Sequence, residues 1–261
     1  MFLWHAACVQ YCGDKTVKEM IKGIYHAAAG MLPRMNQQET VGNNLANVNT
    51  TGFKADKRFF RTELNNKLLQ GGEHGQPVKL SESQFSLVTD FSQGTFAETR
   101  NPLDVAINGD GFFVIETGDS VSYTRGGNFA VNGAGELVNI RGHRVMGEEG
   151  PIRISGKDIV IRADGAVVVD GKTAGTLKLA DFEQPYQLRR NGWGYFTPFP
   201  PQDPKEAERF DLRQGFLENS NVDPIAEMID MIELNRNYES CQKAIHAQDE
   251  TLRQVVLEIA K

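Results

Sequence analysis

From Asp223 to Lys261 the chain holds no glycine, and its apolar residues recur at alternating steps of three and four. Asp223 can cap a helix, Pro224 suits the first helical position, and Glu227 falls in the first turn. The stripe that follows is Met231, Leu234, Tyr238, Cys241, Ile245, Gln248, Leu252, Val255 and Ile259, with Gln248 its one polar member. Such spacing winds a single seam along a helix. At ~1.5 Å per residue that helix runs roughly 55 Å, whereas a compact globule of 261 residues has a radius of gyration of about 18 Å. A seam that overhangs its own globule needs something to cover it, most simply copies of the chain or close relatives.

The other end carries the same rhythm. Ile21, Ile24, Ala28, Met31, Met35, Gln38, Gly42 and Leu45 form a weaker seam between Met20 and Asn47, interrupted by Pro33, where a bend is expected. Asn43, Asn44, Asn47 and Asn49 lead to Gly52, and Asn and Gly tolerate the left-handed conformation that ends helices. We therefore expect the two terminal helices to pair as a coiled coil. The interface residues expected are Ile21, Ile24, Ala28, Met31, Met35, Leu45, Met231, Leu234, Tyr238, Ile245, Leu252, Val255 and Ile259.

Between the ends glycine crowds in: 14 of the chain's 26 glycines lie between Asn101 and Gly175. Short apolar runs (103–107, 112–115, 159–161, 167–169, 177–179) are separated by Asn108-Gly109, Asn132-Gly133, Asp164-Gly165 and Asp170-Gly171. These dipeptides supply the positive φ that tight hairpins need. Spacing this close leaves no room for crossover helices, so an antiparallel sandwich or barrel is expected. The fold class is α+β: an N-terminal extension over 1–19, a helical segment over 20–54 pairing with a helix over 216–261, connectors over 55–84 and 183–215, and an all-β domain over 85–182.

Chemistry is harder to find. A net charge of −6 supplies no basic footprint for nucleic acid. No run of 18 apolar residues exists, so no helical membrane span is expected. Cys8, Cys12 and Cys241 are odd in number, and His5, His26, His74, His143 and His246 lack metal-ligand spacing. The run Asn108-Gly109-Asp110-Gly111 reads as a hairpin turn because no closing Glu follows at calcium-loop spacing. No dinucleotide, phosphate or nucleophile-elbow motif occurs. No catalytic residue, cofactor or metal is assigned and the chain is read as no enzyme, although carboxylates from different strands leave a glycan-binding or glycan-hydrolysing β domain as an alternative. Residues 1–19 lack a basic segment before their apolar stretch, and translation is expected to start at Met20.

Three stretches carry a resemblance. Gly23–Met31 with Asn43-Asn44-Leu45-Ala46-Asn47-Val48-Asn49-Thr50-Thr51-Gly52-Phe53-Lys54 resembles the N-terminal motif of the bacterial flagellar rod and hook proteins. Asn101-Pro102-Leu103-Asp104, Gly109, Gly111, Phe112 and Phe113, with Tyr123–Phe129, resemble the motif of their central β domain, and Gln214–Val222, containing Asn219, Ser220, Asn221 and Val222, resembles the C-terminal one. The resemblance implies a structural axial subunit of the basal-body rod, located in the periplasmic space, whose paired terminal helices pack side by side and transmit torque. It implies as partners other rod subunits, further copies of the chain and the flagellar type III export apparatus, with passage through the membrane but no insertion, no nucleic acid and no small-molecule substrate. The short β domain and Arg141–Pro151 are most similar to the proximal-rod member, with the distal-rod and hook members next.

Overall fold

Alternation decides the middle of the chain. In the computed structural model, which describes residues 23, 28, 30–61, 84–118, 120–207 and 209–259, the run Phe112–Thr117 is a strand buried on both faces. Phe113 and Ile115 enter one core cluster with Val105, Leu137, Val145 and Val167. Phe112 and Val114 enter a second with Tyr123, Phe182 and Phe196. Successive strand residues point to opposite faces, so four consecutive apolar residues supply both clusters at once.

The described strands, in chain order, are β1 (Asp56–Arg61), β2 (Gln84–Thr89), β3 (Phe96–Glu98), β4 (Val105–Gly109), β5 (Phe112–Thr117) and β6 (Ser120–Thr124). They continue with β7 (Phe129–Val131), β8 (Leu137–Asn139), β9 (Arg144–Gly147), β10 (Gly150–Pro151), β11 (Ile159–Ile161), β12 (Ala166–Val169) and β13 (Lys172–Thr176). Last come β14 (Leu179–Asp181), β15 (Leu188–Arg190), β16 (Phe196–Pro198), β17 (Lys205–Glu206), β18 (Phe210–Gln214) and β19 (Phe216–Glu218). The largest sheet runs β15-β16-β6-β5-β9-β8-β7, with β14 also on β5. β4 pairs with β18 and β3 with β19, both antiparallel. Asp164-Gly165 and Asp170-Gly171 turn the chain as expected, with positive φ at Gly165, Asp170 and Gly171.

Helix α1 covers residues 30–46, passing through Pro33, and α2 covers Pro224–Ile259. The chain divides into two units, one built from the described parts of Met1–Leu45, Lys57–Val88 and Pro224–Lys261, the other from Ala46–Asp56 and Thr89–Asp223. Segment 183–215, expected as an irregular connector, instead carries β15 to β18. Its strands are short and rich in Arg, Pro and Phe, so periodicity alone does not mark them, yet Phe196 is fully buried. The 55–84 connector opens with β1, and β19 precedes the C-terminal helix. The β unit is thus larger than the glycine-rich zone. Residues 1–19 lie outside the described residues.

Within the first unit, contacts between α1 and α2 descend one helix as they climb the other. Gln38 Nε2 donates to Asn235 Oδ1 at 3.0 Å, and Asn44 Nδ2 donates to Glu227 Oε1 at 3.0 Å. A side chain at Gly42 would stand 3.8 Å from Met231 Cε, and one at Gly23 would meet the Gln248 amide at 2.6 Å. The helices are antiparallel where these contacts are made.

Candidate functional site: a buried ionic junction and two helical faces

Each of the three motif stretches contributes one charged residue to a shared cluster. Lys54 follows the turn at Gly52, Arg125 follows β6, and Glu218 ends β19. Lys54 Nζ lies 2.6 Å from Glu218 Oε1, and both side chains are essentially inaccessible. Nζ also donates to the Ser92 carbonyl at 2.8 Å, and the Gly94 N–H donates to Glu218 Oε1 at 2.9 Å. Arg125, 4 % exposed, stands 3.5 Å from Glu218 Oε2 and over the Phe112 ring at 5.1 Å. Burial pushes the Lys54 ammonium below its ordinary range; Glu218 pulls it back up, and Arg125 pushes it further down. Beside this cluster Arg190 pairs with Asp56 at 3.1 Å, donates to the Lys54 carbonyl and lies over the Phe53 ring at 4.3 Å.

Backbone pairing reinforces the charges. The Gly52 N–H donates to the Glu218 carbonyl at 2.7 Å, and the Asn221 N–H to the Phe53 carbonyl at 3.4 Å. Asn221 Oδ1 accepts from the Ala55 N–H at 2.7 Å, while its Nδ2 donates to the Asp90 and Ser92 carbonyls at 2.8 and 3.1 Å. Phe53, Ala55 and Val222 form a small apolar cluster of their own. Gly52 has φ 66° and sits against the Arg125 backbone, where a Cβ would approach to 2.4 Å. Only glycine fits that turn. The segments that enter and leave the β unit are therefore tied to each other inside it.

The other motif residues close local structure. Asn101 Nδ2 donates to Asp104 Oδ1 at 3.0 Å, the Asp104 carbonyl accepts from Gly215 N–H at 2.7 Å, and Gln214 Nε2 donates to the Pro102 carbonyl at 2.8 Å. Leu103 packs against the core, Gly109 and Gly111 have φ of 112° and 106°, and Phe112 and Phe113 are fully buried. The Asn219 N–H donates to the Thr95 carbonyl at 2.8 Å, and Ser220 Oγ accepts from the Val222 N–H at 3.2 Å. Asn47 accepts from Thr50 in the turn after α1, where Thr51 is half-buried, and Asn43 and Ala46 are exposed.

Along α2 the half-buried residues are Glu227, Met231, Leu234, Tyr238, Cys241, Ile245, Gln248 and Leu252, the seam expected from the spacing with one turn added at its start. Val255 and Ile259 lie in the last turns of the helix. On α1, Met31 and Leu45 are half-buried while Ala28 and Met35 are exposed; Ile21 and Ile24 lie outside the described residues. A second apolar stripe emerges that was not singled out from the sequence. Ile225, Met228, Ile229 and Ile232 are 70, 51, 52 and 52 % exposed, and Leu32 on α1 is 64 % exposed.

Among the described residues no group of three or more His, Cys, Asp or Glu is placed to hold a metal. No helix there is long and apolar enough to cross a membrane. A cleft of about 300 Å³ in the β unit is lined by Glu148, Asp164, Lys178 and Glu206 over Leu179 and Phe210; its charged groups are exposed. The junction charges Arg125 and Glu218 carried one available signal, a lone charge in the runs Tyr123–Phe129 and Gln214–Val222. Arg190 and Asp56 carried none.

Comparison with known proteins matches the three stretches to three family models. Residues 24–54 match "Flagella basal body rod protein", residues 106–169 match "Flagellar hook protein FlgE/F/G D1 domain", and residues 213–258 match "Flagellar basal body rod FlgEFG protein C-terminal". The flagellar basal-body rod protein FlgG of Bacillus subtilis is 31 % identical over 260 residues, covering 91 % of this chain and 98 % of the relative. FlgG of Agrobacterium fabrum is 33 % identical over 250 residues, covering 86 % and 94 %. The rod protein FlgF of Rhizobium meliloti is 34 % identical over 229 residues, covering 85 % and 90 %. With its N-terminal, central and C-terminal motifs all matched in order, the chain belongs to the flagellar basal-body rod protein family and is a structural subunit of the rod.

Proposed function

We propose that the chain acts mechanically and not as an enzyme: a rod subunit that transmits torque because its terminal helices pair as a coiled coil and pack side by side with those of neighbouring subunits. The observation that carries this reading is the division of α2 into two apolar stripes. One, from Met231 to Leu252, is half-buried and lies on the side where Gln38 and Gly42 approach. The other, at Met228, Ile229 and Ile232, is half-exposed and remains available to neighbours. In this reading 20–54 pairs with 216–261, and Ile21, Ile24 and Ile259 extend the same seam. The subunit is exported by the flagellar type III apparatus and crosses the membrane without inserting. Its β domain, an antiparallel sandwich or barrel, faces outward. A proximal-rod position is favoured by the resemblance of Arg141–Pro151 to the proximal-rod member, with a distal-rod or hook-type position the alternative.

A charge at either stripe tests this. Leu252→Asp and Ile232→Asp each place a carboxylate where a helix has to pack, at a cost of several kcal/mol if it is buried unpaired. Both variants should keep a folded β unit by near-ultraviolet circular dichroism and abolish swimming. Normal swimming by both would overturn the proposal.

A further inference from the structure

Asn-Gly is the dipeptide at which a chain most readily attacks itself, because glycine has no Cβ to shield its nitrogen. Ring closure brings that nitrogen onto the Asn Cγ, so it needs a free side-chain amide and a backbone able to rotate. The chain has three such dipeptides, Asn108-Gly109, Asn132-Gly133 and Asn191-Gly192. Two of them are held. Asn108 lies in β4 opposite Asp211 of β18, and Gly109 is so closed in that a Cβ would stand 2.4 Å from the Arg209 carbonyl. A paired strand cannot make the rotation without giving up ladder hydrogen bonds. Asn132 has open space at its glycine, but its amide is engaged. Oδ1 accepts from the Ala134 and Glu136 N–H groups at 2.9 Å each, and Nδ2 donates to Glu136 Oε2 at 3.4 Å.

Asn191 has neither protection. It is exposed in the turn between β15 and β16, and neither its side-chain amide nor the Gly192 N–H makes a hydrogen bond among the described residues. A Cβ at Gly192 would meet nothing within 4 Å. The base of the turn is firm: the Asn191 N–H donates to the Tyr195 carbonyl at 2.8 Å, and Tyr195 Oη accepts from Asn139 Nδ2 at 2.8 Å. Above that base Gly192, Trp193 and Gly194 all have positive φ, 49°, 53° and 77°, and Trp193 is 71 % exposed. A bulky residue rarely adopts that left-handed backbone.

The surroundings are cationic. Residues 139–144 and 188–195, joined through Asn139 and Tyr195, contain no carboxylate. Arg144 and Arg190 are engaged, with Glu116 and Asp56. Arg141, stacked 3.8 Å from the Trp193 ring centroid, and the exposed Arg189 form no ion pair among the described residues. Positive charge favours both the deprotonated nitrogen that attacks and the carboxylate that results. We propose that Asn191 is a self-modification site. The Gly192 nitrogen bonds to Asn191 Cγ, and the side-chain amide leaves as ammonia, carrying off the proton of the attacking N–H. Water then opens the succinimide to aspartate or isoaspartate. Each conversion places a carboxylate in a tip that has none, and the iso form adds one backbone atom to the turn that presents Trp193. The step needs no partner, and the proposal stands apart from the reading of the chain as a rod subunit.

The test incubates the full chain, folded and in concentrated urea, at mildly alkaline pH in water enriched in heavy oxygen. Only conversion during the incubation takes up the label, so conversion during digestion is set aside. Cleavage after lysine yields peptide 179–205 with Asn191, and cleavage after lysine and arginine yields 101–125 with Asn108 and 126–141 with Asn132. In the folded chain Asn191 should take up one heavy oxygen at least about tenfold faster than Asn108 or Asn132, since those two react only after local opening. In urea the three rates should converge, and Asn191→Gln should leave 179–205 unlabelled. A rate at Asn191 no higher than at the other two in the folded chain overturns the proposal. So does an advantage that persists undiminished in urea, which would belong to the local sequence and not to the turn, or a label that survives Asn191→Gln.

Discussion

Glu218→Gln probes the junction most sharply, because it removes one charge and almost no volume. In the native fold that carboxylate faces Lys54 at 2.6 Å and Arg125 at 3.5 Å. With an effective dielectric of about 20, unit charges at those separations attract by roughly 6 and 5 kcal/mol, offset by the desolvation of all three groups. The glutamine keeps an oxygen for the Gly94 N–H or Lys54, yet leaves two buried cations without this carboxylate. Breaking one partner out of a buried ion cluster costs about 3–5 kcal/mol, which in a unit of this size lowers the melting temperature by about 6–20 °C. Calorimetry of the full chain, reading the transition of the β unit, measures it. Adding Lys54→Met to Glu218→Gln should cost less than the two single effects together, by more than ~1 kcal/mol, because the ammonium left without its carboxylate is removed. A shift below about 2 °C, or strict additivity, would refute the claim that the cluster is dry and coupled.

Other consequences can be checked separately. Gly52→Ala, forced to positive φ against the Arg125 backbone, should destabilise the β unit by more than about 2 kcal/mol. Gly133→Ala, where a Cβ meets nothing within 4 Å, should stay within about 1 kcal/mol of the parent in the same urea titration. Gly42→Ala places its methyl 3.8 Å from Met231 Cε and should raise helix content and stability by about 1 kcal/mol, read by far-ultraviolet circular dichroism; a loss of helix would contradict the α1–α2 contact. Burial raises the phenol pKa of Tyr123, Tyr186 and Tyr195. Their stabilising contribution is therefore complete below the unfolded value near ~10 and is lost as pH rises through the folded values. Ultraviolet titration should show tyrosinate appearing later in the native chain than in urea. Lys54, with its pKa lowered, has the opposite sign: its contribution is present above the unfolded value and is lost as pH falls through the folded one.

Much of the fold was legible because periodicity and turn chemistry are local. Met231 to Leu252 announced their seam by steps of three and four, and that stripe is the half-buried side of α2. The Asp-Gly dipeptides announced their hairpins, and the three motifs announced the family. The second stripe at Met228, Ile229 and Ile232 was hidden because it spans too few turns to register as a period, and β15 to β18 were hidden because short strands in an Arg- and Pro-rich stretch show no alternation. The junction was half legible. Arg125 and Glu218 stand alone among uncharged neighbours and Lys54 ends an uncharged run, but a pairing across 164 residues between Lys54 and Glu218 is a property of the fold and not of any local pattern. Arg190 and Asp56 likewise meet across 134 residues of chain, within the β unit.

The central claim, that this chain is built into the rod, is tested most directly by mass spectrometry of purified hook–basal bodies from the source bacterium. Peptides of this chain, spanning both the β unit and α2, are expected at a level comparable to other rod subunits. Intact basal bodies from swimming cells that express the chain yet contain none of its peptides would contradict it.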